Sequence, residues 1–105
     1  MSHSFPTRRS SDLLRLLAVS ALTNLAFETS NVIASEALSG VAVSDKFALV
    51  REAALRGQLS VDRTRGTRLA AEVAARDPEP KVRELAARIQ QEARPRAVVP
   101  TAPSN

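Results

Sequence analysis

The sequence of 105 residues contains no cysteine, no tryptophan and no tyrosine, and it has a single histidine, His3. Thiolates and imidazoles are the usual ligands of structural zinc and copper sites, so the ligand set for such a site is missing. There is no glycine-rich phosphate loop either. Phe27 and Phe47 are the only aromatic residues beyond position 5, which leaves no stacking platform for single-stranded nucleic acid. We therefore expect no catalytic residue, no metal site, no cofactor and no enzymatic activity.

Residues 3–13, HSFPTRRSSDL, can be read back codon for codon into DNA that resembles the end of a common short-read sequencing adapter. We therefore expect residues 1–13 to be adapter-derived rather than native, and we exclude them from predictions of the fold. His3 falls inside this segment, so no native histidine remains as the base of a Ser-His-Asp arrangement. The native chain is expected to begin near Leu14, as the C-terminal part of a longer protein whose upstream repeats are missing.

Arg8 and Arg9, followed by an apolar run that reaches Phe27, imitate a twin-arginine export signal. The run is interrupted by Arg15 and by several polar residues, and its periodicity is that of a packed helix. A cytoplasmic location is therefore favoured over export, and we expect no association with a membrane.

The formal net charge of +4 would by itself favour an anionic partner. Of the 15 basic and 11 acidic residues, however, Arg8, Arg9, Asp12, Arg94 and Arg96 lie outside residues 14–93, which leaves 11 basic and 10 acidic residues in that part. The expected folded region is nearly neutral, which argues against nucleic acid as the partner.

Residues 14–93 are rich in Ala, Leu, Arg and Glu, and their apolar positions recur at helical spacing. The pattern predicts five helices, with Thr29 or Ser30 as the N-cap of the second and Gly57 as the end of the third. Their predicted bounds are about 13–27, 31–43, 45–57, 62–76 and 80–94. The predicted apolar faces are Leu14, Leu17, Ala21, Leu22 and Leu25 in the first helix; Ile33, Ala37, Leu38 and Val41 in the second; Leu69, Ala70 and Val73 in the fourth; and Val82, Leu85, Ala86, Ile89 and Ala93 in the fifth.

Three of these helices share a short pattern, which reads LRLLA from Leu14, VREAA from Val50 and VRELA from Val82. An aspartate stands six residues before two of the three arginines: Asp45 precedes Arg51, and Asp77 precedes Arg83. Self-similarity at such a period is typical of stacked helical hairpins, because one hairpin buries its apolar face only against a neighbour.

The segment from Asp77 to Ala86, DPEPKVRELA, resembles the opening of the second helix of a HEAT repeat, particularly of the short Ala-rich and Arg-rich kind common in bacterial proteins. The resemblance covers residues 14–93. It implies an all-α fold, a right-handed α-solenoid of antiparallel helix hairpins with about two and a half repeats. It also implies a structural ladder of turn aspartates and helix arginines, whose candidates are Asp45, Arg51, Asp77, Arg83 and Arg15.

The resemblance further implies a non-catalytic scaffold that binds another protein through the second helices of its hairpins, with Glu52, Arg56, Arg83, Glu84 and Arg88 as candidate contacts. Two alternatives remain open. One is the C-terminal part of a HEAT-like enzyme, of the DNA glycosylase or phycobilin lyase type, with its working residues upstream. The other is a nucleic-acid-binding repeat that uses Arg63, Arg65 and Arg68. Residues 94–105, with three prolines and no periodicity, are expected to form a disordered tail.

Overall fold

The computed structural model describes the backbone of residues 8–93 and the side chains of residues 12–93. This part of the chain consists of helices and short turns without any strand, so the predicted all-α class is confirmed. The predicted tail and residues 1–7 of the adapter-like segment lie outside the described residues. The helices are α1 (Arg8–Thr29), α2 (Val32–Ser44), α3 (Ala48–Val61), α4 (Arg63–Arg76) and α5 (Pro80–Ala93).

The first two helix starts differ from the predicted ones. Helix α1 begins at Arg8 rather than near Leu13, because no proline or glycine interrupts the residues between them. The N-cap of α2 is Asn31 rather than Thr29 or Ser30, since its side-chain oxygen accepts a hydrogen bond from the Ala34 amide at 3.0 Å. Ser30 instead has a φ of 54° and makes the turn between the two helices.

The prediction that α3 ends at Gly57 is wrong, because the helix continues to Val61. Gly57 is buried against α1, where an added Cβ would meet the Thr23 hydroxyl and lie 3.5 Å from Thr23 Cβ. Gly66 has a similar role in α4, since a Cβ there would lie 2.8 Å from the backbone nitrogen of Leu59 in α3. Both glycines therefore allow neighbouring helices to approach closely, and neither ends a helix.

The helices form two layers. Helices α1, α3 and α5 make one layer, in which α3 contacts both of the others, and α2 contacts α4 in the second layer. Contacts between the layers join each helix to the next along the chain. The turns at 45–47 and 77–79 are three residues long, and such short turns make consecutive helices antiparallel, so α2–α3 and α4–α5 each form an antiparallel pair, which we call a hairpin. Helix α1 packs beside α2 and α3.

The predicted apolar faces of α4 and α5 are confirmed for all residues except Ala93, which is exposed at the end of α5. In α2 the face is rotated from the prediction, and Ile33 is 79% exposed. The buried row of α2 is Ala34, Leu38 and Ala42, which are spaced by four residues, whereas Ile33 lies five residues from Leu38.

Helix α1 buries Val19 and Ala26 against the other helices, with Leu22 half-buried beside them. Four residues of its predicted apolar face are exposed instead: Leu14, Leu17, Ala21 and Leu25. Together with Ala18, which is also exposed, we call them the α1 stripe.

One polar network lies inside the interface between α2 and α3. Gln58 has no exposed surface, and its Oε1 accepts from the Ser35 hydroxyl at 2.9 Å. Its Nε2 donates to the Ser35 carbonyl at 2.7 Å and to the Ser39 hydroxyl at 2.6 Å. The buried amide therefore has partners for both its donor and its acceptor atoms, which is the condition for burying such a group without a large penalty.

Candidate functional site

The most buried charged contact joins the arginine of α3 to the aspartate of the next turn. Arg51 Nε donates to Asp77 Oδ2 at 2.7 Å, and Arg51 Nη2 donates to Asp77 Oδ1 at 3.0 Å. Arg51 is 6% exposed and Asp77 is 7% exposed. Two parallel charge-assisted bonds of this kind hold the guanidinium and the carboxylate in one plane and one orientation.

Asp77 also organises the turn in which it lies. Its Oδ1 accepts from the backbone N–H of Glu79 at 2.9 Å, and its backbone oxygen accepts from Arg83 Nη1 at 2.7 Å. One residue thus connects α3, the turn at 77–79 and α5.

The same arrangement recurs at Asp45. Its Oδ1 accepts from the backbone N–H of Phe47 at 2.9 Å, and its backbone oxygen accepts from Arg51 Nη1 at 2.7 Å. The ion pair with the preceding helix is looser here, because Arg15 Nε lies 3.6 Å from Asp45 Oδ2 and the Arg15 side chain is 41% exposed. The Arg15 guanidinium also lies 5.1 Å from the centre of the Phe47 ring, which is within range of a cation–π contact.

The structure therefore brings together all five ladder candidates. Each aspartate pairs through its carboxylate with the arginine of the preceding helix in the layer, Arg15 with Asp45 and Arg51 with Asp77. The arginine six residues later, Arg51 or Arg83, binds the backbone oxygen of the same aspartate. Side chains thus link the helices α1, α3 and α5 in series.

The hydrogen bond to Asp77 raises the pKa of Arg51, although burial acts in the opposite direction. Because the pKa is raised in the folded state, the contribution of Arg51 to stability is present below its unfolded pKa. It is lost only as the pH rises through the folded value, so Arg51 remains charged at any neutral or acidic pH. The charged groups of the ladder form their hydrogen bonds and ion pairs with one another. This pairing favours a structural role over acid–base chemistry.

The candidate binding residues lie on α3 and α5. Arg56, Glu84 and Arg88 are exposed, and Glu52 is half-buried. Arg83 differs from them because its Nη1 is held by the Asp77 carbonyl. Glu84 follows Glu52, and Arg88 follows Arg56, at the same separation as Arg83 follows Arg51, so each pair occupies one repeat position on neighbouring helices. We call Glu52, Glu84, Arg56 and Arg88 the charged rows.

The basic cluster of α4 is bordered by acidic residues. Arg65 is half-buried and its Nη1 donates to the Ser35 hydroxyl at 3.2 Å, toward α2. Arg63 and Arg68 are exposed and line a shallow cleft with Thr64, Thr67 and Glu92. Arg65 and Arg68 line a second cleft with Glu36 and Glu72, so acidic side chains adjoin the arginines in both clefts.

We expect duplex and single-stranded DNA to bind this chain no more tightly than about 10⁻⁴ M at physiological salt. Arg65 is engaged with Ser35, and Glu92 lies beside Arg63 and Arg68, so few phosphates could be neutralised at once. Titration of the chain and of an Arg63→Ala/Arg68→Ala variant by fluorescence anisotropy would measure this. Micromolar binding that weakens with added salt and is lost in the variant would contradict the expectation.

Sequence reasoning did not identify the network of Ser35, Ser39 and Gln58. Two features of the sequence could have indicated it. Two serines spaced by four residues lie on one side of α2, and the polar Gln58 takes the repeat position that the apolar Leu22 takes in α1.

Within residues 8–93, no group of three or more acidic, histidine or cysteine side chains is placed to hold a metal ion. No helix in that range is both long and apolar enough to cross a membrane. The site defined by the geometry is thus a buried ladder beneath two exposed charged rows. No protein-family model, curated protein or solved structure matches this chain.

Proposed function

We propose that this chain is a non-catalytic scaffold of the HEAT type, a right-handed α-solenoid of about two and a half repeats that binds another protein. The observation that carries the proposal is the alignment of the charged rows on two contacting helices of one layer. In the described residues, Glu52, Arg56, Glu84 and Arg88 form no ion pair with other side chains of the chain. Their charges are available to a partner.

The ladder supports the proposal because it fixes the spacing between the rows. Arg51 is bonded to both turns and connects α3 to the start of α5. A surface that is rigid before binding loses little conformational entropy when a partner docks, and this preorganisation increases affinity.

The chemistry of the rows indicates the kind of partner. Glu52 and Glu84 form an acidic row, and Arg56 and Arg88 form a basic row one helical turn further along. Adjacent rows of opposite sign are complementary to a protein surface with alternating charges, whereas the acidic row would repel a phosphate backbone. A protein surface that presents acidic and basic groups side by side is the expected ligand.

Reversing the basic row should abolish partner binding. We expect an Arg56→Glu/Arg88→Glu variant to retain its partner at least about tenfold less than the unmodified chain, because two favourable charge contacts become repulsive. The matched control is Arg63→Glu/Arg68→Glu, which changes the net charge equally at exposed positions of α4. Affinity capture with chemical cross-linking and quantitative mass spectrometry would compare the three chains.

The control should retain the same protein as the unmodified chain, with cross-links that map to α3 and α5. Equal retention by both variants, with unchanged helicity by circular dichroism, would contradict the assignment of the charged rows as the binding surface.

A further inference from the structure

The arginine of α5 repeats the contacts of the arginine of α3 on one side of its guanidinium. Arg51 Nη1 donates to the backbone oxygen of Asp45 at 2.7 Å. Arg83 Nη1 donates in the same way to the backbone oxygen of Asp77, also at 2.7 Å. The other edge of Arg51, formed by Nε and Nη2, binds the Asp77 carboxylate. The corresponding edge of Arg83 has no acceptor among the described side chains, and Arg83 forms no ion pair with them.

The position of α5 in the layer explains this difference. The carboxylates that meet Arg15 and Arg51 come from the turns before α3 and α5, the next helices of the layer. Helix α5 contacts only α3 and α4 in the described part of the chain, so no further turn lies beside Arg83. Residues 94–105 contain no aspartate or glutamate. These residues therefore provide no carboxylate for this edge of Arg83.

The Arg83 guanidinium is oriented before any carboxylate arrives. Its side chain is half-buried, and the bond to the Asp77 backbone oxygen fixes one nitrogen as the matching bond fixes Arg51. Glu79 and Glu84, the acidic residues beside it on α5, are exposed and do not pair with it. A guanidinium held in this way offers two parallel donors to a carboxylate and loses little conformational entropy when it binds one.

The surface around Arg83 is polar, unlike the α1 stripe at the other end of the layer. The residues of α5 that take the repeat positions of Leu55 and Leu59 are Ala87 and Gln91, and both are exposed. Small and polar residues at these positions favour a contact made by a charged group over one made by a broad apolar face.

We propose that Arg83 binds the carboxylate of an aspartate that leads into a helix of another protein. The aspartate takes at Arg83 the place that Asp77 takes at Arg51, and its two oxygens accept from Nε and Nη2. The helix follows from the two carboxylates of the layer, because Asp45 and Asp77 each come three residues before the start of a helix. The site is separate from the charged rows, and the proposal does not rest on the proposed function.

Nuclear magnetic resonance of the arginine Nε–Hε groups in the whole chain tests the proposal at mildly acidic pH, where aspartate is ionised. The probe is an acetylated, alanine-rich helical peptide that begins Asp-Pro-Glu-Pro, the sequence of residues 77–80. It should move the Arg83 signal toward that of Arg51, which is the reference for a carboxylate-bound guanidinium. Its dissociation constant should be at least about tenfold lower than that of the same peptide with asparagine first, equivalent to about 1.4 kcal/mol.

Two variants of the chain show whether Arg83 is responsible. Arg83→Lys keeps the charge but cannot form two parallel bonds, so it should bind the aspartate and asparagine peptides with nearly equal affinity. Arg68→Lys is the matched control, since it makes the same change at an exposed arginine of α4, and it should retain the tenfold difference. Moving the aspartate to the other end of the peptide should remove the difference.

Three results would each overturn the proposal. The first is equal affinity of the aspartate and asparagine peptides for the unmodified chain, including no detectable binding of either. The second is a tenfold difference that persists in Arg83→Lys. The third is equal binding of the peptides that carry the aspartate at the first and at the last position.

Discussion

Replacing Asp77 with alanine is expected to lower the free energy of unfolding by about 3–5 kcal/mol. The change removes the two hydrogen bonds that the Arg51 guanidinium donates to Asp77 and leaves its charge without a paired carboxylate where the residue is only 6% exposed. Urea unfolding followed by circular dichroism would measure it. If Asp77→Ala does not fold, Asp77→Asn removes the charge while keeping an acceptor for the Glu79 amide, and it should still be destabilised.

Asp45→Ala is the control for this prediction. It removes an equivalent hydrogen bond to a turn amide, that of Phe47, but its ion pair is long and its arginine is 41% exposed. We expect a loss of only about 1–2 kcal/mol, because an exposed ion pair contributes about 0–1 kcal/mol and the turn bond about 1 kcal/mol. Equal losses in the two variants would show that the buried ion pair has no special role in stability.

Replacing Gly66 with alanine is expected to lower the free energy of unfolding by about 1–3 kcal/mol, although alanine favours helices. The added Cβ would lie 2.8 Å from the Leu59 nitrogen and 2.9 Å from Leu59 Cβ, so the backbones of α3 and α4 would have to separate. Gly40→Ala makes the same change at a helical glycine, and we expect the opposite effect on stability. Nothing lies within 4 Å of a Cβ at that position, and the substitution should stabilise the chain by about 1 kcal/mol.

Thermal and urea unfolding of the two glycine variants would separate helix propensity from packing. A gain in stability at both positions would mean that α3 and α4 separate easily. A loss at both would mean that the exposed face of α2 is not free to accept a methyl group.

The repeat pattern predicted much of the site because it identified five residues that the fold brings together. The arginine that each carboxylate binds was not determined by the sequence, since Asp77 lies six residues from Arg83 and twenty-six from Arg51. Only packing of α3 beside the next turn places the more distant arginine at the carboxylate. The nearer arginine reaches the backbone oxygen instead.

The wrong predictions at Gly57 and Ile33 have different physical causes. A glycine that ends a helix and a glycine that admits a neighbouring helix look alike in sequence, and only the contact with Thr23 distinguishes them. Ile33 is more hydrophobic than Ala34, but the buried side of α2 is selected by close packing against α3, which small residues satisfy. In such Ala-rich helices, residue size decides burial as much as hydrophobicity does.

Helices lined with alanine and serine have shallow grooves, so sliding one along another by a turn would replace small residues with small residues. The amide of Gln58 opposes such a shift in the α2–α3 hairpin, because both serines lie beside it at one alignment only. A displacement of one turn, about 5.4 Å, that brings Ser39 to the place of Ser35 would bring Val43 to the place of Ser39 and leave one buried donor unpaired, at a cost of about 1–3 kcal/mol. The amide therefore selects a single register for the hairpin. The turn at 45–47 transmits that register to the ion pairs of Asp45 and Asp77.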